Sequence, residues 1–234
     1  MCGRYSLFTS TGELRERFDA ETTRPIEARY NCAPGQHLPV ITSAEPNKFQ
    51  FMKWGLVPPW SNDAKVGSKL INARAETVRE KRSFADAYES RRCLVPADGF
   101  YEWAKAGSGK QPYRVAFEDD RPFAIAGLWE RWTPSTKQTG LSEFDGGNPA
   151  REAKPLETFT VITTEPNDLI SELHNRMAVI LAPDEEETWL HGDADDARSL
   201  LDTYPDDGLT AYPVSTRVNS PANDAPDLVE PVHI

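Results

Sequence analysis

Four runs follow one another between residues 92 and 128: Arg92-Cys93-Leu94-Val95, Gly99-Phe100-Tyr101-Glu102-Trp103, Tyr113-Arg114-Val115-Ala116-Phe117 and Phe123-Ala124-Ile125-Ala126-Gly127-Leu128. Each is short and rich in aromatic or β-branched residues, the composition of a strand. Upstream, Pro39–Thr42 and Phe49–Trp54 read the same way, and downstream so do Thr158–Thr164, Met177–Leu181 and Thr210–Val214. Helical patterns are fewer. Ser10-Thr11-Gly12-Glu13 is a cap-like start to Leu14–Phe18. Ser83–Arg91 places Phe84 and Tyr88 four apart on one face. Glu185–His191 and Ala194–Tyr204 read as acidic surface helices, and the C-terminus is Pro-rich and extended. Strands that do not alternate regularly with helices exclude a doubly wound fold. The expectation is an α+β single domain over residues 1–234, with a largely antiparallel sheet or barrel-like core flanked by short helices. Polar residues 133–155 read as a surface-loop insertion, with a linker between two domains as the alternative.

Composition supports a folded globule: 38% of residues are hydrophobic and six are Trp. No apolar run approaches the roughly 18 residues of a membrane span. Met1–Ser6 has no apolar stretch of a signal peptide. The cytoplasm is therefore the expected location. Three cysteines, Cys2, Cys32 and Cys93, with no CxxC, argue against a disulfide framework or a cysteine-based zinc site. Cys32 and Cys93 stand in apolar contexts and read as small buried hydrophobes. The net charge of −11 argues against a nucleic-acid partner. Its distribution points the other way. Residues 1–110 carry 17 Lys and Arg against 13 Asp and Glu, and the acidity is concentrated further along, at Asp184–Glu187 and Asp193–Asp196.

Cys2 is the position with the most unusual chemistry. Removal of Met1 would leave an α-amine and a thiol on one residue. An α-amine with a pKa of about 7.7–8.0 is substantially neutral near physiological pH. It can attack an aldehyde to give an imine, onto which the adjacent thiol closes as a thiazolidine ring. The plain alternative is an incidental cysteine near a terminus. In Asn72-Ala73-Arg74-Ala75-Glu76, Arg74 suits a bidentate phosphate contact and Asn72 could orient an amine or a sugar; otherwise this is a loop entering a helix. Glu102 lies among aromatics, where a carboxyl keeps its proton longer, or else on the exposed side of a core strand. Trp103 offers a face for a base. His174, one of four histidines, could shuttle a proton or contact phosphate, or be structural. No histidine spacing suggests a metal.

As an ordered set these motifs resemble the SOS-response-associated peptidase (SRAP) family of abasic-site processing proteins. The resemblance runs from Met1-Cys2-Gly3-Arg4-Tyr5 through Arg29–Pro34, Trp54–Trp60, Asn72–Thr77, Ser83–Trp103 and Ala126–Glu130 to His174-Asn175-Arg176-Met177. Ala178 and Pro166 depart from the family's more usual Pro and Ala, and neither change removes a chemical group. The resemblance implies that the protein removes its own Met1 and that Cys2 forms a thiazolidine with the ring-opened sugar of an abasic site in single-stranded DNA. It implies that Asn72 holds the N-terminal residue and the DNA, that Glu102 is the acid/base, and that His174 assists sugar opening. Arg74, Arg176 and Arg4 would bind phosphates, while Pro34 and Trp103 would support unstacked bases. It implies no metal or organic cofactor and no membrane. A monomer is expected, nucleoid-associated when on DNA, with replication-fork proteins as candidate partners and a lyase activity as a further expectation. Two other classes fit parts of the sequence: a thiol peptidase acting on other proteins, and a single-strand binding module without chemistry.

Overall fold

The computed structural model describes residues 2–107, 109–134 and 154–233. In chain order the strands are β1 (Tyr5–Leu7), β2 (Arg29–Cys32), β3 (His37–Thr42), β4 (Glu45–Trp54), β5 (Asn72–Arg74), β6 (Arg92–Ala97), β7 (Gly99–Ala106), β8 (Gly109–Phe117), β9 (Phe123–Trp132), β10 (Leu156–Thr164), β11 (Met177–Ala178), β12 (Ile180–Leu181) and β13 (Leu209–Pro213). The helices are α1 (Thr11–Phe18), α2 (Ala85–Ser90), α3 (Asp168–Ser171), α4 (Glu186–His191) and α5 (Ala194–Ser199). The architecture is α+β, as expected, with mostly antiparallel strands and short peripheral helices.

One sheet runs β13-β8-β7-β1-β2. The other runs β11-β10-β4-β3-β6-β9-β12, and β9 also pairs with β10, so β10-β4-β3-β6-β9 closes into a five-stranded barrel. Closure removes the unpaired edges that an open sheet exposes. Gly127 makes it sterically possible. It lies opposite Cys93 of β6 and Val161 of β10. A Cβ there would come within 2.9 Å of Cys93 Sγ, Val95 Cγ2 and the Thr160 carbonyl.

The chain crosses from barrel to second sheet at Asp98, between β6 and β7. Asp98 is buried and accepts hydrogen bonds from the Phe8 and Thr9 amides and, at 2.6 Å, from the Thr9 hydroxyl. Buried Arg114 braces the same corner, donating to the Asp98 carbonyl at 3.1 Å and to the Tyr212 hydroxyl at 2.6 Å. The corner fixes where β7 begins, and β7 carries Glu102 and Trp103.

One hydrophobic cluster runs through both sheets, from Cys2 and Tyr5 to Trp189 and Leu209. A smaller one gathers Tyr101, Val214, Val218 and Leu228, with Trp103 packed against it. The C-terminal segment is therefore not simply extended. It folds back through 3-10 turns at Thr216–Asn219 and Pro226–Leu228 and a bridge between Val214 and Pro231.

Three readings change in detail. Met177–Leu181 is not one uniform strand. Its first half pairs with β10 and its second with β9, and Val179 makes the handover by donating to Ile162 and accepting from Ala126. Helix α5 stops at Ser199, short of Tyr204. Pro205 disfavours a helical Tyr204, and the Tyr204 carbonyl instead accepts from Asn167 at 3.0 Å. Asn72–Arg74 is a strand rather than a loop, paired in parallel with Val161–Thr163. Of the segment 133–155 expected as an insertion, residues 135–153 lie outside the described residues. Its flanks are a paired hairpin, with Trp132 opposite Leu156. Among the described residues no helix is long and apolar enough to cross a membrane.

Candidate active site

Cys2 is buried just ahead of β1 and belongs to the main hydrophobic cluster. Burial raises its thiol far above the ordinary range, and the Glu102 carboxylate raises it further, while the positive charge of the chain's amino terminus opposes both. The thiol is therefore protonated at neutral pH. Cys32 and Cys93 are also buried, as their sequence context implies, and burial raises both thiols.

Glu102 stands on β7 and is 1% exposed, not on an exposed strand face. Burial pushes its carboxyl up to about 7, against the lowering influence of the amino terminus. A carboxyl at that value exchanges protons near neutral pH, the property a general acid/base needs. Its Oε2 lies 3.9 Å from His174 Nδ1, and His174 is 25% exposed. Desolvation, then the amino-terminal charge, holds the imidazole below its ordinary pKa. Both backbone groups of Arg176 lie at Nδ1, the amide at 3.1 Å and the carbonyl at 3.3 Å, and they hold the imidazole in place. Cys2, Glu102 and His174, distant in sequence, thus share one electrostatic site.

A second group assembles across β10. Asn72 and Arg74 stand on β5, with Arg74 opposite Thr163. The Thr163 carbonyl accepts from Arg176, whose residue precedes β11. Both polar atoms of the Asn72 side chain are buried without a hydrogen-bond partner. An unmet amide of this kind costs about 1–3 kcal/mol per group, a cost that a ligand can relieve. Asn72 and Arg74 line a cleft of about 450 Å³ together with Lys81. Arg74 is exposed, and no ion pair engages it among the described residues. The Arg176 fork is occupied by the Glu76 carboxylate at 2.6 and 3.0 Å. That bond holds Glu76 below the ordinary carboxylate range.

The remaining candidates are more dispersed. Trp103 lines a cleft of about 510 Å³ with His174, and its indole donates to Asn219 Oδ1 at 2.7 Å. Pro34 lines a separate cleft of about 300 Å³ with Lys53 and Lys65. Arg4 is partly committed to the fold, since its Nη1 donates to Asn31 Oδ1 and to the Val218 carbonyl, each at 2.7 Å. Residues not singled out from the sequence also surround these clefts. Lys105 and Lys110 share the Trp103–His174 cleft. Lys110 had no sequence signal; only the pairing of β7 with β8 brings it to Trp103.

A mostly antiparallel barrel with a buried, raised carboxyl beside a buried residue-2 cysteine defines the class: an α+β protein with a thiol and a carboxyl set together into its core. The chain belongs to the SOS response associated peptidase (SRAP) family, whose profile matches residues 1–221. It is 41% identical to abasic site processing protein YoqW of Bacillus subtilis, covering 98% of this chain and 99% of that protein. It is 31% identical to abasic site processing protein HMCES of Gallus gallus, over 100% of this chain and 79% of that one. A crystal structure of a Bacteroides thetaiotaomicron protein superposes with a TM-score of 0.84 at 27% identity, covering 99% of this chain and 100% of that chain.

Proposed function

We propose that this protein processes abasic sites in single-stranded DNA by forming a covalent bond through Cys2, after removing its own Met1. The observation that carries this reading is the convergence of Cys2, Glu102 and His174 on one site whose carboxyl is pushed up to about 7. Self-processing adds one water across the Met1–Cys2 peptide bond and releases methionine, with Glu102 handling the proton. The freed Cys2 amine then attacks the aldehyde carbon of the opened sugar. Protonated Glu102 donates to the departing hydroxyl, and one water leaves as the imine forms. The thiol adds across the C=N bond: sulfur bonds carbon, and its proton goes to nitrogen. His174, held in place by the Arg176 backbone, assists ring opening of the sugar. Arg74, and Arg176 once released from Glu76, hold flanking phosphates, and the unmet amide of Asn72 orients the amine or the sugar. Trp103 and Pro34 support bases, with a secondary phosphate role for Arg4. No step calls for a metal.

A thiol peptidase acting on other proteins fits this site less well. Such enzymes need a thiolate in an electropositive, partly exposed setting, whereas this thiol is buried and raised. The test is intact-mass spectrometry before and after addition of single-stranded DNA with one abasic site. The expected spectrum shows the chain lacking methionine, and then that mass plus the DNA minus one water. No covalent species from Met1-free protein would end the proposal.

A further inference from the structure

Lys105 and Lys110 face each other directly across the β7–β8 hairpin. Directly opposed residues have Cβ atoms about 4.5–5.5 Å apart, and like charges in such pairs are destabilising. A hairpin tip gains nothing from this arrangement by itself. Both side chains are exposed, and no ion pair engages either one among the described residues. The one carboxylate lining the same cleft, Glu172, is in ion-pair contact with neither. Strand alternation puts Trp103 and Lys105 on the same sheet face, about 7 Å apart along β7. Lys110, opposite Lys105, shares that face. The Lys110 charge is felt at the site, where it lowers the pKa of both Glu102 and His174. The result is an aromatic face followed at once by two unneutralised cations, in a chain of net charge −11.

We propose that Lys105 and Lys110 form a second phosphate-binding site, which takes a backbone phosphate of the strand where it leaves Trp103 and His174. This site is separate from the guanidinium site of Arg74 and Arg176 across β10. It rests on the reading that single-stranded DNA is the substrate, and it gives that strand a direction of exit over the β7–β8 hairpin. A base on Trp103 and a phosphate on the lysine pair match the alternation of stacking and charge used to hold single strands without reading sequence.

The experiment compares wild type with Lys105→Gln/Lys110→Gln and with the charge-keeping Lys105→Arg/Lys110→Arg. Affinity for undamaged single-stranded DNA is measured over a range of salt. Covalent capture is measured, at sub-saturating DNA, on two abasic oligonucleotides extended only 5′ or only 3′ of the lesion. The expected result for the Gln pair is a salt slope shallower by about 0.7 for each phosphate that is no longer neutralised. Capture should also fall several-fold on one of the two oligonucleotides and stay unchanged on the other. The Arg pair should match wild type. An unchanged slope, with equal capture of both oligonucleotides by the Gln pair and wild type, overturns the proposal. If wild type captures neither, the abasic-site reading fails instead, and the salt slope on undamaged DNA still decides the lysine pair.

Discussion

Glu102 Oε2 lies 3.9 Å from His174 Nδ1, and burial drives the proton affinities of the two groups towards each other. The carboxyl rises to about 7 while the imidazole falls below its ordinary value. Near neutrality both groups can exist uncharged side by side, an acid next to a base.

The covalent step should therefore have a bell-shaped pH profile. Donation by Glu102 weakens as pH rises through about 7, while attack by the Cys2 amine weakens as pH falls below its pKa of about 7.7–8.0. In Glu102→Gln the rate should drop and the limb near 7 should vanish, with DNA affinity kept. A pH–rate series under single-turnover conditions reads this out, and an unaltered profile would remove Glu102 from the acid/base role.

The same variant should be more stable than wild type above neutral pH. Folding raises the Glu102 pKa from 4.5 to about 7, so the native state retains a proton the unfolded chain has lost. That cost is absent below 4.5, grows as pH rises to about 7 and is constant beyond. At pH 8 it amounts to roughly 3 kcal/mol. Urea melts of both proteins at pH 4.5 and pH 8 should show a gap that opens only at the higher pH.

Cys2→Ala should bind single-stranded abasic DNA with near-normal affinity and yield no adduct that survives a denaturing gel. A persistent band would shift the covalent chemistry to another nucleophile.

The two arginines should respond in opposite ways to charge changes around them. Arg74→Glu should weaken DNA binding, most strongly at low salt. Glu76→Gln should tighten it, because the carboxylate that occupies the Arg176 fork is removed. Equal affinities for wild type and Glu76→Gln would mean that phosphate does not compete for Arg176.

Gly127→Ala tests the barrel itself. The new methyl would be wedged 2.9 Å from Cys93 Sγ and the Thr160 carbonyl, neither at the end of a flexible chain. A loss of about 1–3 kcal/mol is expected by chemical denaturation, with the melt still cooperative.

Much of the fold was legible because its strands carry dense aromatic and β-branched runs, as in Phe123–Leu128, and because Ser10 and Glu13 form the capping box that their spacing suggests. What stayed hidden depends on partners rather than composition. Asn72-Ala73-Arg74 has no β-branched residue and is a strand only because β10 offers it an edge. Val179 changes partners where β9 and β10 diverge, and no local pattern records that. For the site, Cys2 was legible through its position and Glu102 through its aromatic neighbours. The Glu76 hold on Arg176 was not, since those residues are a hundred apart in the chain.

Cys2 is packed in the same hydrophobic cluster as the barrel strands. A ring closed on its sulfur would be shut away from bulk water as long as the protein stays folded. On the proposed reading, the lifetime of the lesion's cover is then set by how rarely the fold opens and not by the lability of a thiazolidine.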